Sequence, residues 1–216
     1  VLRRIEQIAA EGVRLETGCH VGVDMPGEEL VNRFDAVLLT GGATQPRDLP
    51  VHGRELRGIH FAMDFLVQQN RIGLGETIPE DERIDAAGRR VTVIGGGDTG
   101  ADCIGTAARQ GAASIVQIEI LPQPPETRPE NQPWPFWPMI MRTSPSHREG
   151  CERLWSVRTT AFSGDNEGCV RKLHAMRVRW TDDDSGRPRM QDISGGWLEL
   201  ETDLVLLAMG FTGPER

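Results

Sequence analysis

Gly95-x-Gly97-x-x-Gly100 is the pattern in this chain whose spacing implies chemistry most directly. It follows a short run of β-branched residues, Arg90 to Ile94, and opens a run with helical periodicity, Asp98 to Gln110. That context turns a weak motif into a dinucleotide fingerprint. Gly95 would permit a tight strand-to-helix turn, Gly97 would leave no Cβ in the way of a pyrophosphate, and Gly100 would let the helix lie close to the strands. With Gly96, these positions would present backbone N–H groups and the positive end of a helix dipole to phosphate oxygens.

Three polar residues accompany the glycines. Asp98 could cap the helix, although its charge would then sit close to a diphosphate unless the side chain turns away. Thr99 could donate its hydroxyl to a phosphate or simply cap. Glu119, 19 residues beyond Gly100, ends a second strand-like run, Ile115 to Ile120. An acid there can accept hydrogen bonds from the ribose hydroxyls of NADH. A 2′-phosphate would meet like charge, at a cost on the order of 4 kcal/mol per charge pair at a few Å and a dielectric near 20. Glu119 therefore favours NADH over NADPH. Arg128, Arg142 or Arg148 could fold back and reverse that preference.

The remaining elements must position this unit. Leu2 to Glu11 has helical spacing and is stopped by Gly12, and Val13 to Glu16 and Phe34 to Leu39 read as strands. The second of these ends in Thr40-Gly41-Gly42-Ala43. Ile59 to Asn70 reads as a helix. Leu121 to Pro145 holds eight prolines and two tryptophans and can be neither helix nor central strand. Arg158–Phe162, Lys172–Trp180 and Trp197–Leu200, separated by turn signals, read as an antiparallel meander. Along the second of these, Leu173, Ala175, Arg177 and Arg179 alternate with His174, Met176, Val178 and Trp180. Asp203 to Met209 reads as one more buried strand, stopped by Gly210. The fold class is α/β: a Rossmann-like dinucleotide-binding domain with a parallel sheet and an antiparallel meander.

Composition narrows the function. The chain has 216 residues, 24 basic against 32 acidic, and a net charge of −8. An acidic chain lacks the basic face that nucleic acid or an anionic membrane would require. Its apolar runs fall far short of the roughly 20 residues that span a bilayer. Cys19, Cys103, Cys151 and Cys169 contain no CxxC pair and read as reduced thiols rather than as a zinc or iron–sulfur ligand set. No metal site is expected, and His147 with Cys151 offers only two candidate ligands. His20, His52, His60 and His174 read as packed or solvated. No signal-peptide pattern precedes the first helix, which fits a cytoplasmic protein.

Several separated stretches together resemble the small (β) subunits of glutamate synthases. They are Ala43 to Pro50 with Gly58-Ile-His-Phe-Ala-Met-Asp-Phe-Leu, Val91 through the glycine motif to Thr106, Glu119-Ile-Leu-Pro-Gln-Pro-Pro-Glu, Pro133-Trp-Pro, and Leu206-Leu-Ala-Met-Gly-Phe-Thr-Gly-Pro-Glu. The resemblance implies a flavoprotein with two dinucleotide domains, the pyridine-nucleotide domain inserted into the FAD domain. Gly41, Gly42 and Gly210 match the junctions where such chains pass between domains. Residues 1–48 would be the tail of a first FAD-domain segment, 49–202 the NAD(P)-binding domain, and 203–216 a return strand toward the FAD domain. The resemblance further implies hydride transfer from nicotinamide to FAD. Iron–sulfur clusters would then carry electrons to a large subunit that forms glutamate from glutamine and 2-oxoglutarate. The family's FAD fingerprint and cysteine-rich region have no counterpart in these residues, so this stretch is expected to bind neither group and to be inactive alone. Hydride transfer needs positioning more than an acid or base, so no catalytic residue is expected. Two other readings stay open: another flavin-dependent reductase of the superfamily, such as a dihydropyrimidine dehydrogenase-like subunit, or a nucleotide-sensing module without catalysis. The tryptophan–proline segment reads as a packed surface loop or a subunit contact.

Overall fold

The computed structural model describes residues 1–214 and divides the chain at Gly42 into two compact units. In the first unit, helix α1 (Leu2–Ala10) places Leu2, Ile5 and Ile8 at helical spacing, and α2 (Gly27–Arg33) carries Glu28 and Glu29 in its first turn. Glutamates there suit the positive end of the helix dipole. Neither expected strand of this unit forms. Val13–Glu16 and Phe34–Leu39 lack regular structure, and Leu38 and Leu39 are more than four-fifths exposed. A strand exists only by pairing, and among the described residues no strand runs beside either segment.

In the second unit, β1 (Gln45–Pro46) is followed by β2 (Ile59–Phe61), α3 (Ala62–Gly73), β3 (Arg90–Ile94), α4 (Asp98–Arg109) and β4 (Ser114–Glu119). A one-turn helix α5 (Pro145–Arg148) leads to β5 (Glu152–Trp155). Next come β6 (Val157–Gly164), β7 (Val170–Asp182) and β8 (Pro188–Glu201), then β9 (Leu204–Leu207) and β10 (Phe211–Gly213). Five strands form a parallel sheet in the order β2-β9-β3-β4-β5, and β6-β7-β8 form an antiparallel sheet. The fold is α/β, as the sequence implies.

Alternation along the parallel strands sorts side chains into two cores, one on each face. Val91, Val93, Leu204 and Leu206 pack with Phe65 of α3 and with Cys103, Ile104 and Ala107 of α4. Ile94, Ile118, Val205 and Leu207 pack with Val157, Phe162, Leu173 and Ala175 of the meander. The layers are thus helices, parallel sheet and antiparallel sheet. Ser156, with φ 55°, makes the one-residue bend by which the chain leaves β5 for β6; among the described residues it is the one non-glycine at positive φ.

The structure redraws several elements. Ile59–Phe61, expected as the start of a helix, is an edge strand, because Gly58 at φ 92° feeds it into parallel pairing with β9 before α3 begins. Leu204–Leu207 is the buried strand expected there, and it lies inside the sheet between β2 and β3. In β7 the alternation breaks: Leu173 and Ala175 are buried, but then Met176 and Val178 are, with Arg177 exposed. A register shift between Met176 and Val178 exchanges the faces there. The four-residue β5, with Arg153 in its middle, carries too little pattern to be read from sequence.

A charge cluster clips the sheets together. Arg90 of β3 donates through Nε (2.8 Å) and Nη2 (2.9 Å) to the two carboxylate oxygens of Asp203, which also accepts from Arg171 of β7 at 3.0 Å. Arg171 in turn pairs with Asp165. The hydrogen bond from Arg90, which outweighs partial burial, holds the Asp203 carboxyl well below the usual carboxylate range. A depressed folded-state pKa stabilises above the unfolded value, near 4, and that contribution is lost as pH falls further. Asp203→Asn should therefore lower Tm at pH 7 by about 3 °C or more, with the gap to the parent narrowing steadily below about pH 4; a pH-independent gap in thermal melts would contradict this role.

Candidate functional site

The turn from β3 into α4 is built by backbone packing at two glycines. Gly95 sits at φ 121°, and a Cβ there would lie 2.2 Å from the carbonyl oxygen of Ala208, just beyond β9. A Cβ on Gly100 would lie 2.4 Å from the carbonyl oxygen of Gly95. Both positions exclude any side chain. Gly97 differs: its φ is −82°, and a Cβ would meet nothing within 4 Å. The protein leaves space there that its own packing does not use.

Gly97 is also the N-cap of α4, without a side-chain cap. The first N–H groups of the helix consequently lack intrahelical acceptors and face outward with the dipole's positive end. Asp98 is the first helical residue and not the cap, so the capping expected of it is not made. The reason is register, since the helix starts one residue earlier than a capping Asp98 requires. Thr99 lines a small crevice with Met63 and Phe211, away from the larger cavities beside the turn.

Glu119 reaches back to this turn from the end of β4. One carboxylate oxygen accepts the Gly96 N–H at 2.6 Å and the other accepts the Leu121 N–H at 3.1 Å. The same carboxylate occupies the space of a Gly96 side chain, with Oε2 2.7 Å from where a Cβ would be. Gln117, two residues earlier on the same face of β4, is 1% exposed and fully used. Its amide donates to the Gly95 carbonyl at 2.9 Å, and its oxygen accepts from Arg153 Nε at 3.1 Å and from His147 Nε2 at 3.2 Å. His147 Nδ1 accepts the Ser144 N–H, which leaves the proton on Nε2. Partial burial, then the charge of Arg153, hold the His147 pKa below its ordinary value and favour this neutral form. A lone polar residue within Ile115-Val-Gln-Ile was the sequence signal for Gln117.

Two cavities meet at Gly96, Gly97 and Glu119. One, of about 570 Å³, is bounded by Leu49, Ile94, Gly95, Val157, Thr159, Met209 and Gly210. Thr159 is 6% exposed, and its hydroxyl is the one fully buried side-chain polar atom without a hydrogen-bond partner among the described residues. The other cavity, of about 350 Å³, is bounded by Asp98, Trp137, Arg142, Arg153 and Trp155. Of the three arginines that could fold back, Arg142 does so, while Arg128 bonds the Gln132 and Phe136 carbonyls of its own loop. Thr159, Arg153 and Trp155 were not anticipated. Gly210, at φ 80°, lines the first cavity, whereas Gly41 and Gly42 are exposed residues at the end of the first unit.

The largest cavity, about 690 Å³, lies elsewhere, beside His52, His174 and Trp197. In it Ser163 Oγ pairs with His174 Nε2 at 2.9 Å, and Glu199 with both Lys172 and His174. It has no helix N-terminus and no open glycine. A free helix N-terminus beside an open glycine, rather than size, marks the candidate site. An elongated ligand with phosphates at its centre and a ring at one end fits the paired cavities.

The model of the pyridine nucleotide-disulphide oxidoreductase family matches residues 3–215. The glutamate synthase [NADPH] small chain of Mycobacterium tuberculosis (strain CDC 1551 / Oshkosh) is 48% identical over 99% of this chain, which covers 43% of that protein. Glutamate synthase [NADH] of Saccharomyces cerevisiae is 41% identical, and the chain covers 10% of it. The chain thus spans less than half the length of either relative. Among solved structures, Mycobacterium tuberculosis FprA in complex with NADPH superposes with a TM-score of 0.66 at 21% identity, covering 98% of this chain and 59% of that one. That likeness supports the fold.

The glycines predict separable effects. Gly97→Val should stay folded, within about 1 kcal/mol of the parent. Gly95→Ala, strained at positive φ and clashing with Ala208, should cost on the order of 2–4 kcal/mol. Equal losses in urea unfolding would contradict the distinction.

Proposed function

The chain belongs to the pyridine nucleotide-disulphide oxidoreductase family, and within it we propose that it is the NAD(P)H-binding domain of a glutamate synthase small subunit. The observation that carries the ligand assignment is Gly97: an uncapped helix N-terminus faces space that a side chain would fill. In this reading the diphosphate lies over Gly96 and Gly97 and accepts from the first N–H groups of α4. Glu119, held by two backbone N–H groups, keeps acceptor capacity for the adenosine ribose hydroxyls. Its charge favours NADH.

The nicotinamide belongs in the cavity of Leu49, Val157, Thr159 and Met209, whose apolar side chains offer surface to a ring. The bound nucleotide supplies a hydride, for which a flavin in the complete protein is the acceptor. This chain contributes orientation, and needs no acid or base for that step.

The two-stranded β1–β10 ribbon, pairing Gln45 with Gly213, lies where the chain enters and leaves the nucleotide unit. We assign it to the double crossing between domains, with residues 1–42 and the tail after β9 belonging to the FAD side. FAD, iron–sulfur clusters and a large subunit that makes glutamate complete the proposal for the whole protein in the cytoplasm. Among the described residues no helix is long and apolar enough to cross a membrane.

Calorimetric titration with NADH and NADPH tests the reading. Micromolar binding of NADH, weaker binding of NADPH, and loss of both in Gly97→Val are expected. Equal binding of both dinucleotides at millimolar strength or weaker, or full affinity in Gly97→Val, would overturn it. Glutamate formation by the complete complex, absent for a mere sensor, tests the wider assignment.

A further inference from the structure

The tryptophan–proline segment is left without a role by the reading above, yet it folds onto the glycine turn. Trp137, Pro138, Met139, Ile140 and Arg142 form one wall of the 350 Å³ cavity, opposite Gly96, Gly97 and Asp98. Two arginines in it sit over tryptophans: the Arg142 guanidinium carbon is 4.2 Å from the Trp137 ring centre and that of Arg153 is 4.7 Å from that of Trp155. Arg153 is fixed further by donating to Gln117 and, at 3.2 Å, to the Arg142 carbonyl, which ties β5 to the segment. Trp137 remains 76% exposed, an aromatic surface offered to the cavity's mouth.

The charges explain why cations are needed. Asp98 and Glu119 put two carboxylates beside the place assigned to a diphosphate. Each repels it, and more strongly in a partly buried setting than in water. Arg142 and Arg153 bring the four side chains to net zero and leave no surplus positive charge. Arg142 donates to the Pro138 carbonyl at 3.3 Å and Arg153 to Gln117 and Arg142, which leaves each guanidinium further N–H groups, and planar π-systems stack readily on either partner.

We propose that the tryptophan–proline segment is the adenosine-side wall of the nucleotide site. Arg142 and Arg153, each held on a tryptophan, offset Asp98 and Glu119 and receive the adenine end of a dinucleotide without a 2′-phosphate. This deepens the proposed function and rests on its placement of the nucleotide along α4.

The test titrates the full chain with 5′-AMP, 2′,5′-ADP, nicotinamide mononucleotide and NADH, following tryptophan fluorescence and calorimetry. The parent should bind 5′-AMP with quenching and 2′,5′-ADP no more tightly. Arg142→Ala and Trp137→Ala, both at exposed positions and expected to melt with the parent, should weaken 5′-AMP and NADH tenfold or more. Nicotinamide mononucleotide should stay within twofold, and Arg142→Lys should recover part of the loss. NADH affinity within twofold of the parent in both alanine variants would overturn the assignment of the wall alone. Tenfold tighter binding of 2′,5′-ADP than of 5′-AMP would overturn the charge balance. Absence of NADH binding to the parent would instead overturn the underlying placement of the nucleotide.

Discussion

The structure turns on a close approach of three backbone segments at Gly95. The end of β3, the loop after β9 and the first turn of α4 meet there, with Ala208 O and Gly95 O standing where side chains at positions 95 and 100 would otherwise lie. Nothing larger than hydrogen fits at either residue. The consequence is geometric: α4 starts immediately above the carboxyl ends of β3 and β9, with its free N–H groups pointing into the cleft. Gln117 fixes the same turn from below by donating to the Gly95 carbonyl.

Sheet order then decides which residues reach that cleft. β9 and β4 flank β3, so the loops after all three converge on one end of the sheet. From β4 comes Glu119, from the loop after β9 come Met209 and Gly210, and from β6 across the second core comes Thr159. The Arg90–Asp203–Arg171 cluster joins β3, β9 and the meander at the opposite end. Stability and binding are thus concentrated at different ends of the same strands. β5 extends the sheet beside β4 and carries Arg153 and Trp155 two residues apart, on one face, with the chain reversing at Ser156 into the meander.

Much of this was legible because local rules and tertiary demands agree. Glycine spacing, the β-branched run before it and the helical period after it all describe one strand–turn–helix unit, and it forms where expected. The helix and strand assignments fail where local pattern lacked a partner or a period. Phe34–Leu39 is apolar enough for a strand but pairs with none. Ile59–Phe61 is too short to show a period, and Glu152–Trp155 is interrupted by a charge. The register shift in β7 exchanges faces at Met176, which a uniform alternation cannot anticipate. The site was half visible: Glu119 and the glycines follow from spacing, whereas Arg153 and Thr159 enter through long-range packing. The meaning of Pro133–Pro138 depends on where the segment folds, which proline content alone does not specify.

In the proposed complex the phosphates of a pyridine dinucleotide lie over Gly96 and Gly97 at the start of α4. Backbone amide chemical shifts recorded while NADH is added to the isotopically labelled chain test this placement. The largest perturbations are expected on the amides of Gly96, Gly97, Asp98 and Thr99. Shifts concentrated instead around His52, His174 and Trp197, with the glycine turn unmoved, would contradict it.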